Sequence, residues 1–407
     1  MRSASRMDTI GTETAFEAAA RARALEATGR SVVHLEIGEP DFDTPANIRE
    51  AAKRALDDGF THYPPYFGLP ALREAIAADA QARKGFAVDP GNVVVTPGAK
   101  PIMFYAMLAL VEAGDEVIVP DPGYPIYESM ARFSGATPVP LPIRMAHEFR
   151  ADVDELASLI TPRTRIVVLN SPANPTGGLF TRDDIVHIAE LAERHDLIVL
   201  ADEIYGRIVY AGEHVSIASL PGMPERTIVL DGFSKTYAMT GWRLGYAILP
   251  EALMHPFGRL IINSVSGTSA FSQMAAVEAL TGPQDPVDEM VEEFRARRDL
   301  VVDGLNDIEG IRCLKPSAAF YVFPDISATG LTGAQLADRL LQDAGVSVLA
   351  GTSFGTLGGD HIRISYANSR ENLAIALERI RGIVEPLVAA RGATAPAASA
   401  RAGAAST

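Results

Sequence analysis

The sequence has almost no cysteine: among its 407 residues Cys313 stands alone, so no intrachain disulfide can form and nothing calls for an oxidising compartment. Positive charge is also scarce. Lysine and arginine total 36 against 51 aspartates and glutamates, a formal net charge of -15 with a pI near 5.0, which argues against a nucleic-acid partner. Long apolar runs are missing too. The longest, Pro101 to Val111, is too short to span a bilayer, so no membrane association is expected. The start, Met1-Arg-Ser-Ala-Ser-Arg-Met7, lacks the apolar h-region of a secretory signal, and the expected location is cytoplasmic. No internal repeat is evident, and no metal ligand set is assigned.

The chain nevertheless has enough apolar residues, 47%, to bury a large core, and its length suggests two domains. Strand-like runs at 92–95, 116–119, 136–140, 165–169, 197–201, 227–230 and 244–248 are mostly separated by helical patterns. That alternation predicts an α/β fold, a mainly parallel sheet covered by helices on both faces. One helix, after Thr181-Arg-Asp-Asp184, starts with a cap signature. This large domain is expected over residues 45–285. Helical patterns near 286–308, 333–344 and 370–388 surround the short runs 320–323, 346–349 and 362–364, which predicts a smaller α+β domain over 286–388. From Ala389 onward small residues dominate, and 389–407 is expected to be a flexible tail.

Three segments carry the chemistry. Asp231-Gly-Phe-Ser-Lys-Thr-Tyr-Ala-Met-Thr-Gly-Trp-Arg243 places Lys235 just beyond the strand-like 227–230, where open α/β sheets bind ligands. Taken alone, a Ser-Lys pair after a strand is an ordinary solvated loop. Ala201-Asp-Glu-Ile-Tyr205 brings Asp202 to the same rim, and Asn170-Ser-Pro-Ala-Asn-Pro-Thr-Gly177 holds Asn174 between two prolines, where the chain is expected to run extended. An amine for an aldehyde, a carboxylate against a pyridinium nitrogen and donors to a ring hydroxyl are what pyridoxal phosphate requires. Asp202 also reads as a helix cap, Asn174 as a turn residue and Tyr205 as a packing ring. The fourth requirement, a phosphate cradle, is met by Thr96-Pro-Gly-Ala-Lys100 at the start of a helix expected from about residue 99 to 111, with Gly98 permitting close approach and Ser234 and Arg243 adding a hydroxyl and a guanidinium.

With these residues in order, together with Ile37-Gly-Glu-Pro-Asp-Phe-Asp-Thr-Pro45, Tyr63, Gly68-Leu-Pro-Ala-Leu-Arg73 and Arg363-Ile-Ser-Tyr-Ala-Asn368, the chain resembles the class I/II aminotransferases, fold-type I pyridoxal phosphate enzymes, and is similar to the bacterial aspartate aminotransferase branch. The resemblance implies that Lys235 holds the cofactor as a Schiff base, Asp202 pairs with the ring nitrogen, and Asn174 and Tyr205 hold the ring hydroxyl. It implies a stacking ring at Tyr124. Gly98, Ala99, Lys100, Ser234 and Arg243 would line the phosphate, joined by Tyr63 of a second subunit across a homodimer interface. Gly38, Asn174 and Arg363 would take the substrate's α-carboxylate, with the N-terminal segment 1–44 completing the small domain.

Arg363 can also be argued from its strand. In His361-Ile-Arg-Ile-Ser365 the two isoleucines share one face and Arg363 takes the other, either as a solvated charge or as a planar partner for a carboxylate. The expected activity is transfer of an amino group from an L-amino acid to a 2-oxo acid, with 2-oxoglutarate as the default, by a ping-pong mechanism through Lys235. A lyase or decarboxylase on the same site, and a non-catalytic sensor, are the alternatives. A dicarboxylate donor would want a further cation. Arg132, Arg144 and Arg259 are candidates without positional support, and Lys100 is placed near the cofactor. The aromatic Tyr63-Pro-Pro-Tyr-Phe67 hints at an apolar pocket.

Overall fold

Each of the seven apolar runs expected as a strand forms one in the computed structural model, which describes residues 2–394. In chain order the first nine strands are β1 (Val33–His34), β2 (Val93–Thr96), β3 (Glu116–Asp121), β4 (Thr137–Arg144), β5 (Arg150–Ala151), β6 (Thr164–Asn170), β7 (Ile198–Asp202), β8 (Thr227–Gly232) and β9 (Gly245–Ile248). Eight of them make one sheet in the order β2-β9-β8-β7-β6-β3-β4-β5. The run from β8 to β4 is parallel, while β9 is antiparallel to both neighbours and β5 is antiparallel to β4. The sheet is therefore mixed but mainly parallel. The register sets Asn170 opposite Asp202 and Asp202 opposite Leu230, so three parallel strands end together at one rim.

Both faces of the sheet are covered, because these strands are apolar at successive positions rather than at every second one. The helices that follow the chain are α1 (Thr14–Glu26), α2 (Ala46–Asp57), α3 (Pro70–Asp79), α4 (Lys100–Leu110), α5 (Ile126–Phe133), α6 (Val153–Leu159), α7 (Arg182–Arg194), α8 (Glu251–Ser264) and α9 (Ala270–Thr281). Ile166 and Val168 of β6 point to the face packed by Met103 of α4, Met130 of α5 and Phe257 of α8. Val167 and Leu169, one residue out of phase, meet Ile185 and Ile188 of α7. The cap after Thr181 forms as expected: Thr181 Oγ1 accepts from Asp184 N at 3.2 Å and Asp184 Oδ2 accepts from Thr181 N at 2.8 Å.

The C-terminal part is built from α10 (Asp285–Asn306), α11 (Gly333–Arg339) and α12 (Arg370–Thr394), with the short strands β10 (Tyr321–Val322), β11 (Val346–Ser347), β12 (Leu349–Ala350) and β13 (Ile362–Ser365). Its core gathers Phe294 and Val301 of α10, Ile364 of β13 and Ile380 and Val384 of α12. The N-terminal β1 lies parallel to β11, and Val33 and Leu35 enter this same core. One expectation needs correction. The stretch 389–407 does not begin as a tail, since α12 continues through Thr394; the remainder of the stretch lies outside the described residues. Ala389 and Ala390 are strong helix formers and extend a helix already nucleated on the core. Among the described residues no helix is long and apolar enough to cross a membrane.

Candidate active site

The carboxyl ends of β6, β7 and β8 open on a cavity of about 510 Å³. Of the residues singled out from sequence, Gly38, Ala99, Lys100, Tyr124, Asn174, Asp202, Tyr205, Ser234, Lys235, Arg243 and Arg363 all line it. Two do not. Gly98 sits immediately behind, and Tyr63 is on the surface, 94% exposed, beside Pro64 and Thr268.

Lys235 follows β8 by three residues, and its Nζ donates to the carbonyl of Gly38 at 2.5 Å. Burial lowers its pKa to about 8, with the guanidiniums of Arg363 and Arg243 acting in the same direction and Glu39 against them. Asp202 ends β7 and is fully buried. Burial raises its pKa to about 6, although Tyr127 Oη donates to Oδ2 at 2.5 Å and Ile204 N to Oδ1 at 3.2 Å, both of which favour the carboxylate. Among the described residues no cation is bonded to it. Tyr205 shares a hydrogen bond with the Tyr321 hydroxyl at 2.8 Å, and burial holds its pKa well above the ordinary value.

The segment around Asn174 turns rather than running extended. Gly177 N donates to Ala173 O and Ala173 N to Gly178 O, each at 2.9 Å, and Asn174 N donates to Asn170 Oδ1 at 2.8 Å. The restriction that proline places on its neighbours did not prevent this closure, and the peptide bonds before Pro172 and Pro175 are both cis. The amide thus delivered accepts from Arg363 Nη1 at 3.2 Å.

Arg363 is not a solvated charge: it is 3% exposed on β13, with Ile362 and Ile364 in the core behind it. Its Nη2 donates to Glu36 O, and its guanidinium lies 4.6 Å from the Tyr321 ring centroid and 5.0 Å from that of Phe354. Burial lowers its pKa below the usual arginine value, and its Nε has no hydrogen-bond partner.

At the other end of the cavity, the turn before α4 lies against Arg243. Gly98 has φ +86°, and a Cβ there would collide with the Arg243 guanidinium; a Cβ on Gly245 would meet Ala99 N at 2.6 Å. Arg243 Nη1 donates to Thr240 O at 2.8 Å. The Tyr124 hydroxyl donates to Glu13 Oε1 at 2.7 Å, and the Lys100 ammonium bonds the same oxygen.

Several lining residues carried no sequence signal. Glu13 before α1, Tyr127 and Tyr321 reach the cavity through contacts far apart in the chain, Asn170 lies at the end of β6 beside Asn174, and only the buried hydroxyl of Tyr127 demands a partner on general grounds. Arg132, Arg144 and Arg259 do not line the cavity; Arg132 and Arg144 pair with Glu128 and Glu155.

The profile of the family Aminotransferase class I and II matches residues 30–380. An arginine–pyruvate transaminase of Pseudomonas aeruginosa is 44% identical over 88% of this chain and 92% of its own length. An aspartate aminotransferase of Pyrococcus horikoshii is 42% identical over 87% of this chain and 91% of its own. Among solved structures, an aromatic aminotransferase from Pyrococcus horikoshii superposes with a TM-score of 0.86 at 41% identity, covering 91% of this chain and 99% of that one.

Proposed function

The chain belongs to the class I and II aminotransferases, and on that premise we propose that it moves the amino group of an L-amino acid to a 2-oxo acid, with 2-oxoglutarate as the default acceptor, in two half-reactions at the Lys235 cavity. The observation that carries this reading is the convergence of a half-buried lysine, a buried carboxylate and a buried arginine on one space at the sheet rim.

Members of this family use pyridoxal phosphate, and the residues present suit it. The Arg363 Nε without a partner marks the wall that awaits an anion, and the two glycines keep clear the space where a Cβ would foul the Arg243 turn. Lys235 would hold the aldehyde, Asp202 the ring nitrogen, Asn174 and Tyr205 the ring hydroxyl, and Tyr124 would cover a ring face. The backbone N–H groups of Ala99 and Lys100 at the start of α4, with Gly98, Ser234 and Arg243, would enclose the phosphate. Tyr63 of a second copy would reach the same phosphate in a homodimer. When bound, the cofactor supplies an electron-poor ring that takes up the charge left at the substrate's α-carbon.

The protein's own groups do the rest. Gly38, Asn174 and Arg363 would fix the α-carboxylate, the guanidinium offering two parallel donors. With a pKa brought to about 8, Lys235 Nζ would take the α-proton and later return it, so one residue is both anchor and general acid/base. Asp202, at the carboxyl end of β7, would hold a proton on the ring nitrogen.

The test is the absorption spectrum of the purified protein, alone and with single amino acids, in wild type and Lys235→Ala, followed by 2-oxoglutarate. A cofactor band that shifts with particular amino acids and returns with the oxo acid, in wild type only, is expected. Absence of any band after added pyridoxal phosphate would sink the site. Amino acid consumed without stoichiometric oxo acid would turn the reading to a lyase.

A further inference from the structure

Glu13 directly precedes α1 and turns its side chain, 16% exposed, into the cavity. One oxygen, Oε1, takes both the Lys100 ammonium and the Tyr124 hydroxyl. Its charge also acts on Lys235 and Arg363. Four cations line the cavity: Lys100, Lys235, Arg243 and Arg363. On the transaminase reading above, on which this inference rests, three are engaged by the cofactor and the α-carboxylate, and Lys100 gives the phosphate end its backbone N–H. Among the described residues of one chain, the Lys100 ammonium is the cationic group of the cavity left for a substrate side chain, and it is already paired.

We propose that Glu13 sets the charge preference for the donor side chain: by holding Lys100 it closes the remaining cation to a second substrate carboxylate and turns selection toward amino acids whose side chain carries no acid. A dicarboxylate donor would have to break the Lys100 pair and the Tyr124 bond, and would set its own negative charge beside that of Glu13. A side chain without a carboxylate leaves both contacts intact. The remaining wall suits it, because Ala15, Phe16, Ile37 and Met103 are apolar, and the Lys100 ammonium, neutralised by Glu13, lies 6.0 Å from the Phe16 and Tyr124 ring centroids. Rejection by an unfavourable charge contact is a common route to specificity.

The experiment uses the holoenzyme, wild type, Glu13→Gln and Glu13→Ala, titrated calorimetrically with maleate, a dicarboxylate, and 3-phenylpropionate, a monocarboxylate. Both variants are expected to bind maleate about tenfold more tightly while 3-phenylpropionate changes by less than about twofold, and kcat/KM for aspartate relative to phenylalanine rises by a similar factor. Maleate affinity unchanged in both variants, or the two probes moving together, overturns the role of Glu13. The failure of the underlying reading looks different: wild-type enzyme would then convert no amino acid with any 2-oxo acid.

Discussion

Two buried carboxylates sit next to each other at the end of β7 and meet opposite treatment. Asp202 faces the cavity, has no cation bonded to it among the described residues and is pushed up to about 6 by burial. Glu203 faces the other way. Burial would raise it too, yet Lys84 at 2.7 Å and His214 at 3.2 Å overcome that and hold it well below the usual carboxylate range. Two lysines divide in the same manner. Among the described residues Lys235 has no carboxylate partner and falls to about 8, whereas Lys84, also pushed down by burial, is held above the ordinary value by Asp231 at 2.8 Å and by Glu203. Ser216 and Tyr246 complete that second cluster, donating to Glu203 at 2.6 Å and to Asp231 at 3.1 Å. Charge is compensated on the side that ties β7 to β8 and left uncompensated on the side that awaits a ligand.

The contrast breaks most visibly by substitution at the two lysines. Lys235→Ala is expected to lower turnover by roughly ten thousand-fold, since anchor and proton carrier go together, while the cofactor-free protein is not destabilised at neutral pH, because a charge without a carboxylate partner is removed. Stopped assays and denaturant melts check both halves. Lys84→Met should do the reverse: leaving Glu203 and Asp231 buried with their shared cation gone costs about 3–5 kcal/mol in melting experiments. Equal loss of stability from both substitutions would dissolve the distinction.

A pH series sharpens it. Folded Lys235 titrates near 8 and an unfolded lysine near 10.5, so between those values the unfolded chain binds more protons. Stability of the cofactor-free protein therefore gains from this group as pH rises from about 8 to 10.5, by at most about 3 kcal/mol, and the penalty returns as pH falls. Lys84 has the opposite sign: its contribution is fully present below the ordinary lysine value and is lost only above it. Melts of wild type minus Lys235→Met over that window isolate the first term. A flat difference would mean that Lys235 is not depressed in the folded protein.

What the sequence made legible follows the same division. Lys235 and Asp202 could be placed because each ends or follows an apolar run of strand length, Asn174 only through its flanking prolines, and Arg363 because its neighbours alternate. Their partners could not be placed. Glu13 and Lys100 are 87 residues apart, Tyr205 and Tyr321 116, and Lys84 and Asp231 147, and no local pattern encodes such pairs. Lys84 lies on an ordinary-looking helix end, Glu13 before a helix of weak pattern. The turn at Asn174 was misread for a different reason: proline rules restrict single residues, whereas the loop closes on itself through the bonds from Asn174 N to Asn170 Oδ1 and from Ala173 N to Gly178 O.

The finest test concerns Tyr127, the stronger of the two donors that keep Asp202 from rising further. Its hydroxyl is buried, and Phe would fill nearly the same volume, so Tyr127→Phe removes one charge-assisted hydrogen bond and little packing. With only Ile204 N left on the carboxylate, the Asp202 pKa moves up from about 6 toward neutrality and a larger share of the group is protonated at pH 7. A protonated carboxyl cannot stand as the anion opposite a protonated ring nitrogen, so affinity for pyridoxal phosphate should fall by about tenfold at pH 7, and the pH at which binding strengthens should move upward. Fluorescence titration across pH 5.5 to 8.5 reads both. If neither moves, burial alone fixes Asp202, and the uncompensated side of the β7 end owes nothing to its tyrosine.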